Sequence, residues 1–555
     1  MNWHNFFFAA FDPAATISID KLPGAFWIQA LSVRIFGAHT WALALPQVIE
    51  GVLSVLVLHR AVRRCAGPVA GIIAAGVLGF SPATVTLNRG NVADSLLVLL
   101  LVLAADSLVS SLRTGRFLSL VVAGVWVGLA FQAKMLEAWL VLPALAFAYL
   151  IAADARLSTR ITRVAGMLAI AVLMSLSWIA VVSMVPHEDR PYADGSANDS
   201  LASQVFDYNG FGRVGRPDPN QVLGRTLGIS FLAGPAPPAS GTRLLEGAPG
   251  RDTGWLLPAS LIVIPVLLWS RRRDLRTDPL RSSVVLWGCW LLIFAIVFSI
   301  SPINWYYLGA LSPPIAALLG IAAGQAWVNR TARFVQAIVV GIVGVSVAYV
   351  VWLLPSSGTG VAGWIEGVTL ALGFLSVAAI SVFAMTGGTS VGFAGAFGTI
   401  AAILAVPVIA SISVVINNLG AFDTPFQPAA LTAFNRSFFG APLQPIASLH
   451  EIERVRDGAP DLLATQTSVI AAPFIFATGQ EVLPIGGYDG STPEPTLAML
   501  RTAIADGAFH LVLTASHSDD ARALFIQRHC LAVHPTNSPP LVSLRVSYCL
   551  PADAK

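Results

Sequence analysis

Long apolar runs separated by short polar segments fill the first three quarters of the chain. A helix of about 20 residues crosses the hydrocarbon core of a bilayer, so apolar runs of about that length predict membrane spans. We therefore predict a polytopic α-helical membrane domain at residues 41–415, with about twelve spans. These are residues 41–59, 69–87, 94–112, 117–133, 136–153, 164–185, 254–270, 283–300, 306–328, 334–354, 364–385 and 391–415.

The last quarter, residues 416–555, has a different pattern, in which short apolar runs alternate with helical ones. Runs such as EVLPIGG and FHLVLT are typical of strands. The segment TPEPTLAMLRTAIADG predicts a helix that starts at Thr492 and ends at Gly507. Alternating strands and helices indicate a small α/β domain.

The amino-acid composition excludes several classes of protein. Of the 555 residues, 55% are hydrophobic and only 11% are charged, against about 25% charged in soluble domains. Such a chain has too little polar surface to cover itself in water, which excludes a soluble enzyme, a disordered protein and a nucleic-acid-binding protein. The sequence has no P-loop and no other glycine-rich nucleotide loop. ATP and nucleotide-sugars are therefore not expected as substrates, and a substrate supplied by the membrane fits better.

Fourteen arginines between the predicted spans lie in alternate loops, which the positive-inside rule places in the cytoplasm. They are Arg60, Arg63, Arg64, Arg113, Arg116, Arg156, Arg160, Arg163, Arg271, Arg272, Arg273, Arg276, Arg330 and Arg333. We expect a multi-pass protein of the plasma membrane, with the long loop at residues 186–253 and the C-terminal domain extracytoplasmic. Twelve spans also place residues 1–40 outside, so we expect a further natural helix upstream of Met1.

Residues 1–40 are aromatic and amphipathic, and Pro13 and Pro23 interrupt them. We expect this segment to lie in the membrane interface, with Asp12, Asp20 and Lys21 facing water or a cavity. The aromatic residues expected to enter lipid are Trp3, Phe6, Phe7, Phe8, Phe11 and Trp27. The charges are either solvated parts of an anchor or parts of a site. The 33 basic residues (Lys plus Arg) include only three lysines, Lys21, Lys134 and Lys555, and this rarity favours a specific role for Lys21.

Other polar residues on the predicted outer side have two open interpretations each. Asp94, near Arg89 and Asn91, is either a helix cap or part of a site. Lys134 and Glu137 are either a snorkelling pair or the lining of a cavity. The segment INWYY, with Tyr306 and Tyr307, is either part of an aromatic belt or of a site.

The four cysteines divide by predicted compartment. Cys530 and Cys549 lie in the outward domain, where a disulfide is expected. Cys65 on the inner side and Cys289 within a span are expected to be unpaired. There is no CxxC or HExxH spacing that would indicate a zinc site.

Several strings, in order along the chain, resemble those of bacterial family 39 glycosyltransferases. DKLPGAFWIQALS resembles the end of their first outer loop, NRGNVAD their D-R-x-N-x-x-D and FQAKMLEAW their T-K-M-L-Q. RPYADGSANDS with YNGFGR resembles their long outer loop, and INWYY their H-x-Y-Y. ATGQEVLPIGGYDGSTPEPTLAML resembles the C-terminal domain of the branch labelled "putative mannosyltransferase". The resemblance implies the glycosyltransferase C fold of protein O-mannosyltransferases and lipid A aminoarabinose transferase.

The resemblance also implies an activity, namely transfer of a sugar, of the mannose type, from a polyprenyl-phosphate donor at the outer membrane face. It implies that Lys21 stabilises the departing lipid phosphate, and that Asp20 contacts the phosphate or a divalent metal ion. Asp94 joins Asp20 and Lys21 as the expected catalytic residues. The expected substrate-binding residues are Arg89, Asn91, Lys134, Tyr208, Asn209, Arg213, Tyr306 and Tyr307. The acceptor, whether protein, lipid or glycan, is left open.

The sequence departs from the family pattern at several polar positions. Leu22 replaces the first proline of D-K-P-P, Asn88 the first aspartate of D-R-x-N, and Asn304 the histidine before Tyr-Tyr. The family's acidic base would lie upstream of the first residues, and Asp12 is a weaker substitute. Two alternatives therefore stay open: a transporter or flippase of lipid-linked sugars, and an inactive relative that binds sugar-lipids.

Overall fold

The computed structural model describes residues 2–213, 216–228, 238–354, 362–439, 452–533 and 544–555. Parts of the predicted outer loops at 186–253 and 355–363 lie outside the described residues. Backbone contacts divide the chain into two compact units. The first comprises Met1–Leu43, Ser177–Pro235 and Ala433–Lys555, and the second Ala44–Leu176 and Ala236–Thr432.

Helices occupy every predicted span. They are Thr40–Ala66, Pro68–Gly79, Pro82–Leu87, Asp94–Thr114, Phe117–Lys134, Leu142–Ala152, Leu157–Ser183, Leu257–Ser270, Pro279–Ile300, Ser312–Val328, Arg333–Leu353, Ala362–Thr386 and Thr389–Ile416. Within the described ranges, nine segments are long and apolar enough to cross a membrane, with Phe117–Ala152 taken as one. The polytopic helical fold is confirmed, and twelve crossings stay a prediction.

Several of the predicted spans are shorter or broken. Residues 69–87 form two helices, Pro68–Gly79 and Pro82–Leu87. Pro82 lacks an N–H and stands at the first position of the second helix, where a proline is tolerated, so the chain restarts there. Leu257–Ser270 has only 14 residues and contains Pro265.

Small residues let helices of the second unit approach closely. A Cβ atom at Gly320 would lie 2.6 Å from the backbone oxygen of Ala70, and one at Gly324 would lie 2.9 Å from the Ala70 Cβ atom. Ser312–Val328 therefore packs directly on Pro68–Gly79, as small-residue faces allow in membrane helices.

One acidic side chain organises the predicted cytoplasmic end of the second unit. Asp106, on the Asp94–Thr114 helix, is 6% exposed, and its two oxygens lie 2.7 Å from Arg60 and 2.8 Å from Arg64. Two of the arginines that indicate topology therefore also tie one helix to another.

The N-terminal segment of the first unit forms the helices Trp3–Phe8 and Gly24–Phe36. Trp3 is 64% exposed, which leaves it available to lipid. Phe6 instead stacks on Trp27, with 5.9 Å between ring centroids, and Phe11 packs against a core cluster of the C-terminal domain. Phe6, Phe11 and Trp27 therefore pack partly within their own unit, and the expectation that the aromatic residues of this segment enter lipid stays a prediction.

The C-terminal domain is a five-stranded mixed sheet with helices, which confirms the predicted α/β domain. Its strands are β1 (Leu463–Gln466), β2 (Val482–Ile485), β3 (Leu511–Ala515), β4 (Leu531–Val533) and β5 (Leu544–Tyr548), in the order β2-β1-β3-β5-β4. β1 pairs in parallel with β2 and β3, whereas β5 is antiparallel to β3 and β4. The helices are Ser468–Thr478, Leu497–Ala505 and Ala521–His529.

A predicted helix start in this domain is displaced. The helix Leu497–Ala505 is capped by Thr496, whose hydroxyl accepts a hydrogen bond from the Met499 N–H at 3.2 Å. The prediction of a start at Thr492 is wrong, because Pro495 disfavours helical backbone in the residue before it.

The domain also contains a disulfide. Cys530 and Cys549 are joined, with 4.6 Å between their Cα atoms. This pair links the end of the Ala521–His529 helix to the end of β5. Cys65 and Cys289 are free.

Candidate functional site

The first cluster of polar residues, in the first unit, centres on Asp20 and Lys21. The two lie in the turn before the Gly24–Phe36 helix, where the adjacent Leu22 is fully buried. The Lys21 Nζ atom lies 2.6 Å from the Asp20 carboxylate, and the side chains are 19% and 13% exposed. Burial of Leu22 thus holds an ion pair at a position that is sheltered yet reachable from solvent.

Three residues of the long predicted loop support this pair. The Asn209 amide donates to the backbone oxygen of Asp20 at 2.6 Å. Arg213 in turn donates to the Asn209 side-chain oxygen at 3.0 Å. Tyr208 precedes Asn209 and closes a short π-helical turn, Ser203–Tyr208. The structure therefore brings Tyr208, Asn209 and Arg213 to the Asp20–Lys21 segment.

A loop of the C-terminal domain completes the cluster, and sequence reasoning did not mark it as part of a site. The Tyr488 ring centroid lies 5.9 Å from the Lys21 Nζ atom. The Asp489 carboxylate accepts a hydrogen bond from the Tyr208 hydroxyl at 3.2 Å. The available signal was the string GGYDG directly after a strand, since clustered glycines there permit a tight turn that exposes the residues between them.

Asp194 anchors that loop. Its carboxyl group is buried and accepts hydrogen bonds from the Tyr488 N–H at 2.9 Å and the Thr492 hydroxyl at 2.7 Å. Burial, together with the negative charge of Asp20, raises the pKa of Asp194 to about 8. Near neutral pH the group is therefore mostly protonated, and it anchors the loop with little added charge.

Asp12 does not face water or a cavity, and that prediction is wrong. It is 1% exposed, and its two oxygens accept hydrogen bonds from the Thr16 N–H at 2.9 Å and the Ile17 N–H at 3.1 Å. Burial raises the pKa of its carboxyl group. Asp12 closes the turn at residues 12–17, which leaves it poorly placed to serve as a substitute base.

The second cluster, in the second unit, unites three of the motifs found in the sequence. The Lys134 Nζ atom lies 2.5 Å from the Asp94 carboxylate, and the side chains are 5% and 2% exposed. The ring centroids of Tyr306 and Tyr307 lie 4.5 Å and 4.4 Å from the same Nζ atom. The buried lysine thus lies beside the Asp94 carboxylate and two aromatic faces, an arrangement that stabilises its positive charge.

The burial of Lys134 excludes one of the interpretations left open by the sequence. Lys134 is buried, so the snorkelling interpretation is wrong. Asp94 is the first residue of its helix, after the cap position at Ala93, and its carboxylate is taken by Lys134. A negative charge is also favourable at a helix N-terminus.

Arg89 and Asn91 are not drawn into the second cluster. Both are exposed. Arg89 donates to the Asn418 side chain at 3.1 Å and to the backbone oxygen of Leu419 at 3.4 Å. It therefore fastens the loop after Pro82–Leu87 to the end of the Thr389–Ile416 helix.

A metal site at Asp20 stays a prediction. The part of the chain that the structure describes contains no group of three or more His, Cys, Asp or Glu side chains that could hold a metal ion. The Asp20 carboxylate is engaged by Lys21. The residues present therefore do not assemble a metal-binding set, and we derive no chemical step through a metal.

Two family descriptions match parts of the chain. Residues 20–178 match "Dolichyl-phosphate-mannose-protein mannosyltransferase". Residues 449–529 match "Putative mannosyltransferase YkcB-like, C-terminal". The first match covers the Asp20–Lys21 and Asp94–Lys134 motifs, and the second covers the Tyr488 loop.

Two curated relatives from Bacillus subtilis (strain 168) align over almost the whole chain. "Putative mannosyltransferase YkcB" is 29% identical, over 91% of this chain and 82% of the relative. "Putative mannosyltransferase YycA" is 28% identical, over 93% of this chain and 86% of the relative. The similarity thus includes both the helical region and the C-terminal domain.

Solved structures of ArnT from Cupriavidus metallidurans are similar in fold. The apo structure has a TM-score of 0.53 at 16% identity, and the match covers 100% of this chain and 94% of that one. The structure bound to undecaprenyl phosphate has a TM-score of 0.53 at 15% identity, over 95% of this chain and 88% of that one. At these identities the likeness is one of fold.

Proposed function

We propose that this chain is a family 39 glycosyltransferase of the glycosyltransferase C fold class and that it transfers a sugar from a polyprenyl-phosphate donor. The sugar is of the mannose type, as the names of the relatives suggest. A polyprenyl-phosphate donor agrees with the undecaprenyl phosphate bound in one structure of similar fold. The acceptor is a molecule of the cell envelope at the outer face of the plasma membrane.

The observation that carries this proposal is the position of Lys21. Its ammonium group is partly exposed, fixed by Asp20, and surrounded by hydrogen-bonding residues of the same unit. A lysine ammonium suits a phosphate because it is a compact cation with three donors. Lys21 would bind the donor phosphate and offset the charge that grows on it as it leaves.

The reaction itself is a displacement at the anomeric carbon. The acceptor oxygen forms a bond to that carbon, and the bond from the carbon to the phosphate oxygen breaks. The bonding electron pair leaves with the polyprenyl phosphate, and the acceptor proton passes to a general base. Lys21 stabilises the departing phosphate, Asp20 orients Lys21, and Asn209 fixes the backbone of Asp20.

The buried Lys134 supports a second binding role within the helical unit. A lysine inside a membrane domain is costly and usually functional. Asp94 neutralises it, and the Tyr306 and Tyr307 hydroxyl-bearing rings lie against it. We assign these four residues to substrate binding, with Asp94 holding Lys134 in its charged form.

The outward orientation rests on the alternating arginine loops. The disulfide in the C-terminal domain supports it, because disulfides persist in oxidising compartments outside the cytoplasm. Both features support an extracytoplasmic position for the Asp20–Lys21 cluster, which includes that domain's Tyr488 loop.

The test is donor turnover by the full chain in membrane vesicles that contain native envelope acceptors. Undecaprenyl-phosphate mannose, labelled in the sugar, should yield a labelled acceptor and free undecaprenyl phosphate. GDP-mannose should yield neither in vesicles that lack the enzyme that makes the lipid donor. Passage of the intact lipid-linked sugar across the membrane without its cleavage would reject the proposal in favour of a flippase.

A further inference from the structure

The Tyr488 loop of the C-terminal domain, residues 486–492, forms a wall beside the Lys21 ammonium. The ring face of Tyr488 is directed at this ammonium, at 5.9 Å from its centroid. The side chain is only partly buried. A ring that is partly accessible next to a candidate phosphate-binding cation is available to a ligand.

The Tyr488 ring is fixed at both ends. Its backbone N–H donates to Asp194 at 2.9 Å, and its hydroxyl donates to the Asn220 side-chain oxygen at 2.6 Å. The next residue, Asp489, accepts from the backbone N–H of Ser491 at 2.8 Å as well as from Tyr208. These bonds hold the side chain in place before a ligand binds. Binding therefore costs less conformational entropy than it would at a freely rotating tyrosine.

Glycines at 486, 487 and 490 make this position possible. All three have positive φ, at 89°, 66° and 91°. A Cβ atom at Gly487 would collide with the Asp194 carboxyl group. The loop is therefore built for close contact with Asp194, and this contact sets where Tyr488 stands.

We propose that Tyr488 is the binding platform for the sugar ring of the polyprenyl-phosphate donor. The inference rests on the proposed function, since it takes Lys21 as the phosphate-binding cation. A phosphate oxygen lies about 2.8 Å from a lysine nitrogen to which it is bound. The sugar is joined directly to that phosphate, so it would lie beside the Lys21 ammonium, next to a ring whose centroid is 5.9 Å from that ammonium.

The chemistry of the ring suits this role. The face of an aromatic ring is negative and attracts the weakly positive C–H groups on the flat side of a hexose. Burial, together with the nearby carboxylates beginning with Asp20, keeps the pKa of Tyr488 well above its usual range. The residue is therefore an uncharged ring under all physiological conditions and does not repel the phosphate.

The experiment compares two ligands, undecaprenyl phosphate and undecaprenyl-phosphate mannose, for binding to the full chain in nanodiscs. The parent should bind the sugar-bearing lipid about tenfold more tightly, which is the scale of one good aromatic contact. Tyr488→Phe keeps the ring and should keep this preference. Tyr488→Leu should abolish the preference and leave the Kd of undecaprenyl phosphate unchanged.

Tyr548→Leu is the matched control, because Tyr548 is a half-buried tyrosine of the same domain whose ring is tilted against His510, with 5.4 Å between the ring centroids. It should keep the preference for the sugar. The platform is rejected if Tyr488→Leu retains the preference, or if Tyr548→Leu loses it to the same extent. Loss of the preference for the sugar-bearing lipid in Tyr488→Phe also rejects the platform, since the hydroxyl rather than the ring would then be responsible. This variant keeps the proposal testable even if Tyr488→Leu does not fold.

A separate variant distinguishes an error in the assignment of Tyr488 from an error in the proposed function. Lys21→Ala should weaken binding of both lipids. If Lys21→Ala weakens both but Tyr488→Leu changes neither, only the platform is wrong. If Lys21→Ala changes neither Kd, the phosphate site itself is wrong.

Discussion

The Lys134 ammonium lies 2.5 Å from the Asp94 carboxylate although 40 residues separate them in the sequence. Both side chains are almost fully buried in the helical unit. The pair therefore joins the end of the Phe117–Lys134 helix to the start of Asp94–Thr114. Removing one partner leaves an uncompensated charge in a medium that solvates it poorly.

Asp94→Ala should therefore destabilise the chain by about 3–5 kcal/mol, the usual effect of breaking a buried ion pair. The double variant Asp94→Leu, Lys134→Met should regain most of that stability, because neither charge is left alone. Thermal unfolding in detergent measures both effects, with Lys555→Met as the control. A single variant as stable as the parent would show that the pair is not buried in this way.

Replacing both residues of this pair should affect the turnover of the protein more than its stability. The double variant should fold yet stay below about one hundredth of the parental turnover, if Lys134 contacts substrate with the energy of a charge-assisted bond of roughly 3 kcal/mol. Turnover of undecaprenyl-phosphate mannose in membrane vesicles measures it. Full turnover in the folded double variant would leave the pair a purely structural role.

The raised pKa of Asp194 makes stability depend on pH. The ordinary pKa of 3.8 applies to the unfolded chain, and the folded value is about 8. Between these values the folded chain holds more protons, so stability falls as the pH rises through the window and the loss is complete above about pH 8. Glu481, whose pKa is also raised to about 8 by burial and by Asp12, acts in the same direction.

Asp194→Asn, which does not titrate, should therefore show a smaller decrease of the unfolding midpoint between pH 5 and pH 8 than the parent. Differential scanning fluorimetry of the full chain measures the two slopes. The comparison with the parent removes the contribution of Glu481, which both proteins share. Equal slopes would mean that Asp194 does not titrate in this window.

The Cys530–Cys549 disulfide predicts an oxidising surrounding for the C-terminal domain. Mass spectrometry of protein purified without reductant should find one peptide pair linked through these cysteines. Its reduction should lower the free energy of unfolding of the domain by roughly 3 kcal/mol. Free thiols at both positions in protein from the native host would contradict the extracytoplasmic assignment.

Membrane orientation can be measured with single cysteines. In a Cys65→Ser, Cys289→Ser background, the exposed positions Thr114 and Asp519 are changed to cysteine one at a time. A maleimide that does not cross membranes should label Asp519→Cys in intact cells and Thr114→Cys only after permeabilisation. The reverse pattern would contradict the orientation deduced from the arginines.

The apolar pattern predicted where helices lie, because membrane helices are specified by local composition over about 20 residues. It did not predict the break before Pro82 or the short Leu257–Ser270 helix, since an average over about 20 residues does not register where an individual helix begins or ends. The α/β class of the C-terminal domain was likewise predictable from the sequence. The helix starts later than predicted because Pro495 disfavours helical backbone before it, and Thr492 bonds instead to the distant Asp194.

Candidate site residues such as Lys21 and Lys134 could be selected from the sequence because they lie in recognisable strings, and their roles stay a prediction. The partners of these residues could not be selected in this way, because contacts such as Lys21 with Tyr488 join segments far apart in the chain. Asp12 illustrates the opposite error. Its position in an aromatic segment suggested a carboxylate that could act as a base, but this carboxylate accepts hydrogen bonds from nearby backbone N–H groups.

The central claim is that Lys21 binds the donor phosphate and stabilises its departure. The most direct measurement compares turnover of undecaprenyl-phosphate mannose by the parent, Lys21→Ala, Lys21→Arg and the control Lys555→Ala in the same vesicles. We predict that Lys21→Ala lowers turnover by at least about a hundredfold, as expected for loss of one charged transition-state contact, that Lys21→Arg restores part of it, and that Lys555→Ala has no effect. Parental turnover in Lys21→Ala would contradict the assignment of this site.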